Sequence, residues 1–249
     1  MSFDVLQEMG KKTCYMCDSK ASSVEHAPPK CFFPKKQRKQ LITVPSCQVH
    51  NEKTSDNDEY IRNIFIGLTG LRSDGKEEVL AKTFRSFNLS PKLRSSIRST
   101  LENVDYQGRG YWVVRMNWDR LEALTHKMAC ALHFEHHGKN LDIDTATVMR
   151  AGIPIGDKLD DTAKLFGFVE EANLPWHGAN PDIFRYQMLG EGMIPSTFRF
   201  LFYGDVDILV CPLGNSDWIA DKNQPLYFPN RSQPKETEAE QDAALKPQE

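Results

Sequence analysis

The sequence predicts an α+β chain: a small N-terminal module held together by metal, then a larger mixed region of helices and strands. Three observations carry this. The first 55 or so residues lack helical periodicity and are rich in Cys, Pro, Lys and Ser, with two ligand pairs at turn spacing, Cys14/Cys17 and Cys47/His50. Several later stretches repeat apolar residues every three or four positions, as one face of a helix does. Between them lie short runs rich in aromatic and β-branched residues, bounded by Gly, Pro, Asn or Asp, which read as strands.

Taken in order, "LITV" is the one clear strand of the first segment. From Glu52 the pattern turns helical: Tyr60, Ile61, Ile64, Phe65 and Leu68 share one face, and Gly70 is a plausible stop. "KEEVLAKTFRSF" and "SPKLRSSIRSTLENV" read as two further helices, the second with Ser90 as N-cap and Pro91 at the first helical position. "GYWVVRM" reads as a strand and Trp118 to His137 as a long helix. "FRYQML", "STFRFLFYG" and "DVDILVCPL" read as strands, with "YGDV" as a hairpin turn. The tail from residue 232 is polar and acidic and is expected to be disordered. The expected organisation is therefore 1–70, 71–231 and 232–249.

Composition bounds the function. At 249 residues, 40% apolar and 26% charged, the chain can bury a sizeable core, and no run approaches the roughly 20 apolar residues of a spanning helix. The N-terminus has no long apolar stretch of the secretory kind, so a cytoplasmic, reducing setting without membrane attachment is expected. There a CxxC pair serves metal or redox chemistry rather than a structural disulfide. The net charge of −3 is uneven: the tail holds five acids against two bases, whereas residues 1 to 55 hold nine Lys/Arg against five Asp/Glu. That basic surplus, densest in "KCFFPKKQRK", permits contact with phosphates.

Zinc takes four tetrahedral N or S ligands, and a spacing of two residues lets one tight turn present a pair of them. Cys14, Cys17, Cys47 and His50 form two such pairs with 29 residues between them, and one structural Cys3His zinc site follows. Cys31 lacks a partner at turn spacing and sits beside two phenylalanines, so it reads as a buried thiol.

Between the pairs lies "EHAPPK", and after the second pair comes Asn51, opening a helix. This order of CxxC, acidic-His, Pro-Lys, strand and Cys-x-x-His-Asn resembles the HNH nuclease family in its zinc-stabilised form, over residues 14 to about 62. The resemblance implies a ββα-metal module, a hairpin and a helix around one divalent ion, that cuts phosphodiester bonds of DNA. It implies that His26 is the general base activating water, and that Glu25 and Asn51 hold a catalytic Mg or Mn ion. Their oxygen ligands suit a hard cation. Lys30 and Lys53 are candidate phosphate contacts. Asp56, Asp58 and Glu59 either assist the metal or, as the simpler expectation, favour the positive end of their helix. Two departures stand out: only Gln40 lies near the family's middle Asn or His position, and Glu replaces the commoner Asp before the base.

The remaining three quarters imply no activity of their own. On the long helix, Leu121, Leu124, Met128, Ala131 and Leu132 form an apolar face, with His126, Cys130, His133 and His137 opposite, read as a polar or interface stripe. Trp112, Trp118, Phe198, Phe200, Phe202 and Tyr203 are expected to fill a core. This part would set targeting, sensing or oligomerisation, with a homo-oligomer or a regulatory protein as partner. The alternative overall is a non-catalytic zinc module that binds nucleic acid or regulates.

Overall fold

The structure is a computed structural model; it describes residues 13–52, 55–68, 81, 83–85, 88–106, 109–141, 147–151, 167, 169–189, 197–204, 206–211 and 226–227. Lys53, Gly70 and the acidic tail lie outside the described residues, as does most of "KEEVLAKTFRSF".

Four short strands build the N-terminal part. β1 (Thr13–Cys14) and β2 (Cys17–Lys20) are antiparallel with Cys14 opposite Cys17, so the turn at Tyr15 and Met16 presents both thiols. β3 (Ser23–Ala27) pairs with β4 (Ile42–Ser46), placing Glu25 opposite Val44 and His26 opposite Thr43. The connection between them contains two single 3-10 turns, Lys30–Phe32 and Lys35–Gln37, each entered from a proline whose fixed φ suits a turn start. α1 (Gln48–Glu52) and α2 (Ser55–Leu68) follow β4 directly. On α2 the predicted face is buried at Tyr60, Ile61, Ile64 and Phe65, and Arg62, Asn63 and Ile66 are buried too.

α3 (Pro91–Arg98) is shorter than its sequence predicts. Ser90 caps it as expected, its hydroxyl accepting from the Leu93 N–H. The expected continuation through "LENV" is instead a strand. Ser99 and Thr100 turn their hydroxyls back onto the Ser96 and Ile97 carbonyls, which competes with helix propagation. β5 (Leu101–Tyr106) then pairs with β6 (Arg109–Val114). Ser90→Ala is expected to cost about 1 kcal/mol of stability, the usual worth of an N-cap, measurable by denaturant titration.

α4 (Trp118–His137) begins at Asn117, whose side chain accepts from the Arg120 N–H, and ends at Gly138. Gly138 takes φ 65, the left-handed cap conformation that glycine adopts without a Cβ penalty. The expected division into an apolar and a polar face does not hold. Cys130 and His133 are buried along with Leu121, Leu124, Met128 and Leu132, because α4 runs between the N-terminal hairpin and the C-terminal sheet. That sheet is antiparallel and comprises β7 (Thr147–Ala151), β8 (His177–Asn180), β9 (Phe184–Leu189), β10 (Thr197–Phe202) and β11 (Val206–Cys211), in the order β7-β11-β10-β9-β8. β12 (Leu226–Tyr227) adds to β6. The hairpin expected at "YGDV" is present: Phe202 pairs with Val206, and Tyr203 and Gly204 both have positive φ.

Phe198, Phe200, Phe202 and Tyr203 are buried, as predicted. β10 is covered on its other face as well, where Arg199 forms an ion pair with Asp207 at 2.6 Å and with Glu170 at 3.2 Å. The apolar core is continuous across residue 70. Phe32 and Phe65 from the N-terminal part meet Phe202 from β10, with ring centroids 5.2 and 5.0 Å away. The Tyr203 hydroxyl donates to the Phe32 carbonyl at 3.0 Å. The chain is thus a mixed helix and strand fold in which the Cys/His segment and the sheet share one interior.

Candidate metal centre and the His26 hairpin

The four ligand atoms of Cys14, Cys17, Cys47 and His50 all lie within 4.8 Å of one another. Their separations test the metal reading. A tetrahedral zinc with about 2.3 Å bonds to sulfur and about 2.05 Å to nitrogen requires S···S edges of about 3.8 Å and S···N edges of about 3.55 Å. Cys17 and Cys47 are 3.9 Å apart, and His50 Nδ1 lies 3.4, 3.5 and 3.3 Å from the sulfurs of Cys14, Cys17 and Cys47. These are tetrahedron edges, far longer than the roughly 2.05 Å of a disulfide. The fold explains the convergence. The β1/β2 turn supplies one pair, β4 runs straight into α1 to supply the other, and the Tyr15 N–H donates to the Pro45 carbonyl at 2.8 Å to tie the two together. Burial pushes the Cys14 thiol up, so deprotonating it there calls for a cation. The four residues could hold a metal ion, and zinc fits the donor set. Cys31 is partly buried against the core and is outside this cluster.

Asn51, one residue beyond the cage, ties α1 to β3. Its amide nitrogen donates to Ser23 Oγ at 2.7 Å and to the Val24 carbonyl at 3.4 Å. Successive strand residues point to opposite faces, and Glu25 and His26 do so here. His26 is half-buried, and its imidazole is held down to about 4, first by burial and then by the charges of Lys30 and Arg38. Arg38 is fixed in turn by donating from Nε to the Phe33 carbonyl at 3.2 Å. The structure therefore gathers a neutral imidazole and two cations at one end of the β3/β4 hairpin. Gln40, near the family's middle position, is exposed with φ 55.

Glu25 takes a different route from the one the resemblance assigns. It is 5% exposed and points inward, accepting the His26 N–H at 3.0 Å, with Lys127 Nζ of α4 at 3.8 Å. The same ammonium sits 2.8 Å from both carboxylate oxygens of Asp58. Asp58 lies in the first turn of α2, as expected, and is in addition a buried ion-pair partner. Burial pushes the Glu25 and Asp58 carboxyls up, and Lys127 pulls them back. The Tyr15 hydroxyl is buried beside this group and has no hydrogen-bond partner among the described residues. A cation already stands 3.8 Å from the Glu25 carboxylate, so in this arrangement Glu25 is an ion-pair partner of Lys127.

The histidine stripe of α4 behaves as a packed surface. The His133 and His137 rings lie 4.5 Å apart, His136 Nε2 is 2.9 Å from the Tyr186 hydroxyl, and the Cys3His group is the one cluster of three or more close ligands among the described residues. Sequence reasoning missed Lys127 and Arg38. Lys127 left one signal, a cation among the apolar positions Leu124, Met128 and Ala131.

The fold and site define an α+β protein with a Cys3His cluster near its N-terminus that could hold a metal ion. Neither a family model, nor a curated protein, nor a solved structure matches the chain. None of its helices among the described residues is long and apolar enough to cross a membrane.

Proposed function

We propose that the chain is an HNH-type metal-dependent endonuclease that hydrolyses phosphodiester bonds of DNA, with His26 as the general base. The observation that carries the reading is the juxtaposition of His26 with Lys30 and Arg38 on a hairpin locked by the Cys3His cage. A neutral imidazole can take a proton from water, and adjacent cations can hold a phosphodiester and offset charge developing on it. The antiparallel β3/β4 pair followed at once by a helix also supports the reading, since the resemblance implies a hairpin and a helix. A Mg or Mn ion would supply Lewis-acid stabilisation of the scissile phosphate. Since Glu25 faces Lys127, only the roles of the protein's own groups are assigned: His26 moves the proton, Lys30 and Arg38 bind, and the zinc cage and Asn51 fix the hairpin.

The test is cutting of plasmid DNA by the zinc-loaded chain with Mg or Mn added back after removal of loosely held ions. Wild type should cut, and His26→Ala should lower the rate by about 10²- to 10⁴-fold, the usual worth of a general base. Asn51→Ala should also cut poorly, through a displaced hairpin. Equal cutting by His26→Ala would remove the base from the scheme, and no cutting by wild type with either ion would remove the enzyme. The second reading, a zinc module that binds nucleic acid without cutting it, is favoured by the inward turn of Glu25. It gains from DNA binding that persists where cutting is absent.

A further inference from the structure

Between Glu78 and Glu102 the chain runs for 23 residues without an acid while carrying five bases, Lys82, Arg85, Lys92, Arg94 and Arg98. The chain as a whole has slightly more acids than bases, 34 against 31, so this segment departs sharply from its own background. α3 displays three of the five. At about 100° per residue Leu93 and Ile97 share one side, and Ile97 is buried while Leu93 packs partly against the core. The rest of the circumference is exposed and carries Lys92, Arg94 and Arg98 interleaved with Ser95 and Ser96.

Helix stability does not call for this pattern. Arg98 in the last turn suits the helix dipole, but Lys92 stands at the opposite, positive end, Arg94 and Arg98 are four apart, where like charges repel, and α3 itself holds no carboxylate. The helix is held by its Ser90 cap, by Pro91 at its first turn and by its apolar side. The three cations are therefore displayed together on a rigid element, among serine hydroxyls. Phosphate groups spaced along a nucleic-acid backbone match such a surface, because Arg and Lys neutralise them and Ser hydroxyls donate to their oxygens.

We infer that the exposed face of α3 is a contact surface for the phosphate backbone of duplex DNA, separate from the His26 hairpin. It supplies sequence-independent affinity and holds substrate while the hairpin acts. The inference rests on the proposed nuclease reading for its choice of DNA, but it concerns binding and is measured without cutting.

The experiment uses the full chain carrying His26→Ala, so that cutting does not intervene, and a short mixed-sequence DNA duplex followed by fluorescence anisotropy from roughly 50 to 200 mM salt. Adding Lys92→Ala, Arg94→Ala and Arg98→Ala together should weaken binding on the order of 100-fold near 0.1 M salt and flatten the log–log salt slope by about 3. Zinc content and melting temperature should stay at the parent values, as these side chains are exposed. Exchanging each cation for the other kind (Lys92→Arg, Arg94→Lys, Arg98→Lys) should restore the slope. An unchanged affinity and slope in the alanine variant overturns the inference. So does a loss confined to anionic phospholipid vesicles with DNA binding intact, which would assign the face to a membrane surface. Failure of the nuclease reading looks different: a wild-type chain that binds duplex with this slope and never cuts it.

Discussion

Replacing Lys127 with Met is expected to lower stability by about 3–5 kcal/mol, the cost of leaving buried charge without its partner, and to lower the melting temperature by roughly 10 °C. Lys127 is 3% exposed and its ammonium serves two carboxylates, Asp58 at 2.8 Å and Glu25 at 3.8 Å. Methionine fills similar volume, so the loss reports charge rather than a cavity. Its pH dependence has a definite sign. Burial raises both carboxyls in the folded state, so the folded chain binds more protons than the unfolded chain between the two pKa values. Stability is then highest below the unfolded values and falls as pH rises through the folded ones. Lys127 restrains that fall, so Lys127→Met should steepen it and should recover much of its deficit in mild acid. A variant that also carries Glu25→Gln and Asp58→Asn should lose the steepened dependence. A flat pH profile for Lys127→Met, or a melting temperature equal to wild type, would refute the role given to this group. The Mg or Mn requirement of Glu25→Gln probes the same group from the side of activity. If Glu25 answers to Lys127, the concentration of ion needed for half-maximal cutting stays at the wild-type value.

Loss of the Cys3His ion should be more damaging still. Isolated zinc modules draw on the order of 10 kcal/mol of folding free energy from their ion, comparable to the whole stability of a typical domain. The elements concerned cannot stand alone: β1 has two residues, β2 four, and a two-stranded hairpin is marginal in water. Cys47→Ser is expected to abolish the single tightly bound zinc per chain and the fixed packing around Tyr15, which is wholly buried beside Cys14. Strong chelation should do the same reversibly. Cys31→Ser should retain the full zinc content, since Cys31 lies outside the ligand cluster. Metal analysis and near-UV circular dichroism read both effects. A chelated chain that melts as the loaded one does would mean that the cage is not a structural centre.

The four residues of the Cys3His cluster were legible because their chemistry is local. Each pair is a turn, and two turns with matching donors announce a tetrahedron before any tertiary contact is known. The β9, β10 and β11 runs were legible for a similar reason, since aromatic and β-branched residues bounded by turn formers mark strands wherever they pack. The Lys127 group was illegible. It joins Glu25, Asp58 and Lys127 from three elements, and the pair that is most tightly bonded lies 69 positions apart in the sequence. Nothing near Asp58 distinguishes a buried acid from one at a helix start. The end of α3 was missed because "LENV" has no strong strand signal of its own; the hydroxyls of Ser99 and Thr100 and the pairing with β6 decide it. The two buried faces of β10 were missed because Arg199 looks like a solvent residue until Asp207 and Glu170 are placed around it.

The meeting of Phe32, Phe65 and Phe202 bears on how such a chain can change over time. A ring on the central strand of the large sheet props up the connection that carries Lys30, so substitutions at Phe202 are felt at the hairpin. The first seventy residues cannot be lent to another protein as an interchangeable cassette without exposing these rings. Drift in either half must be answered in the other.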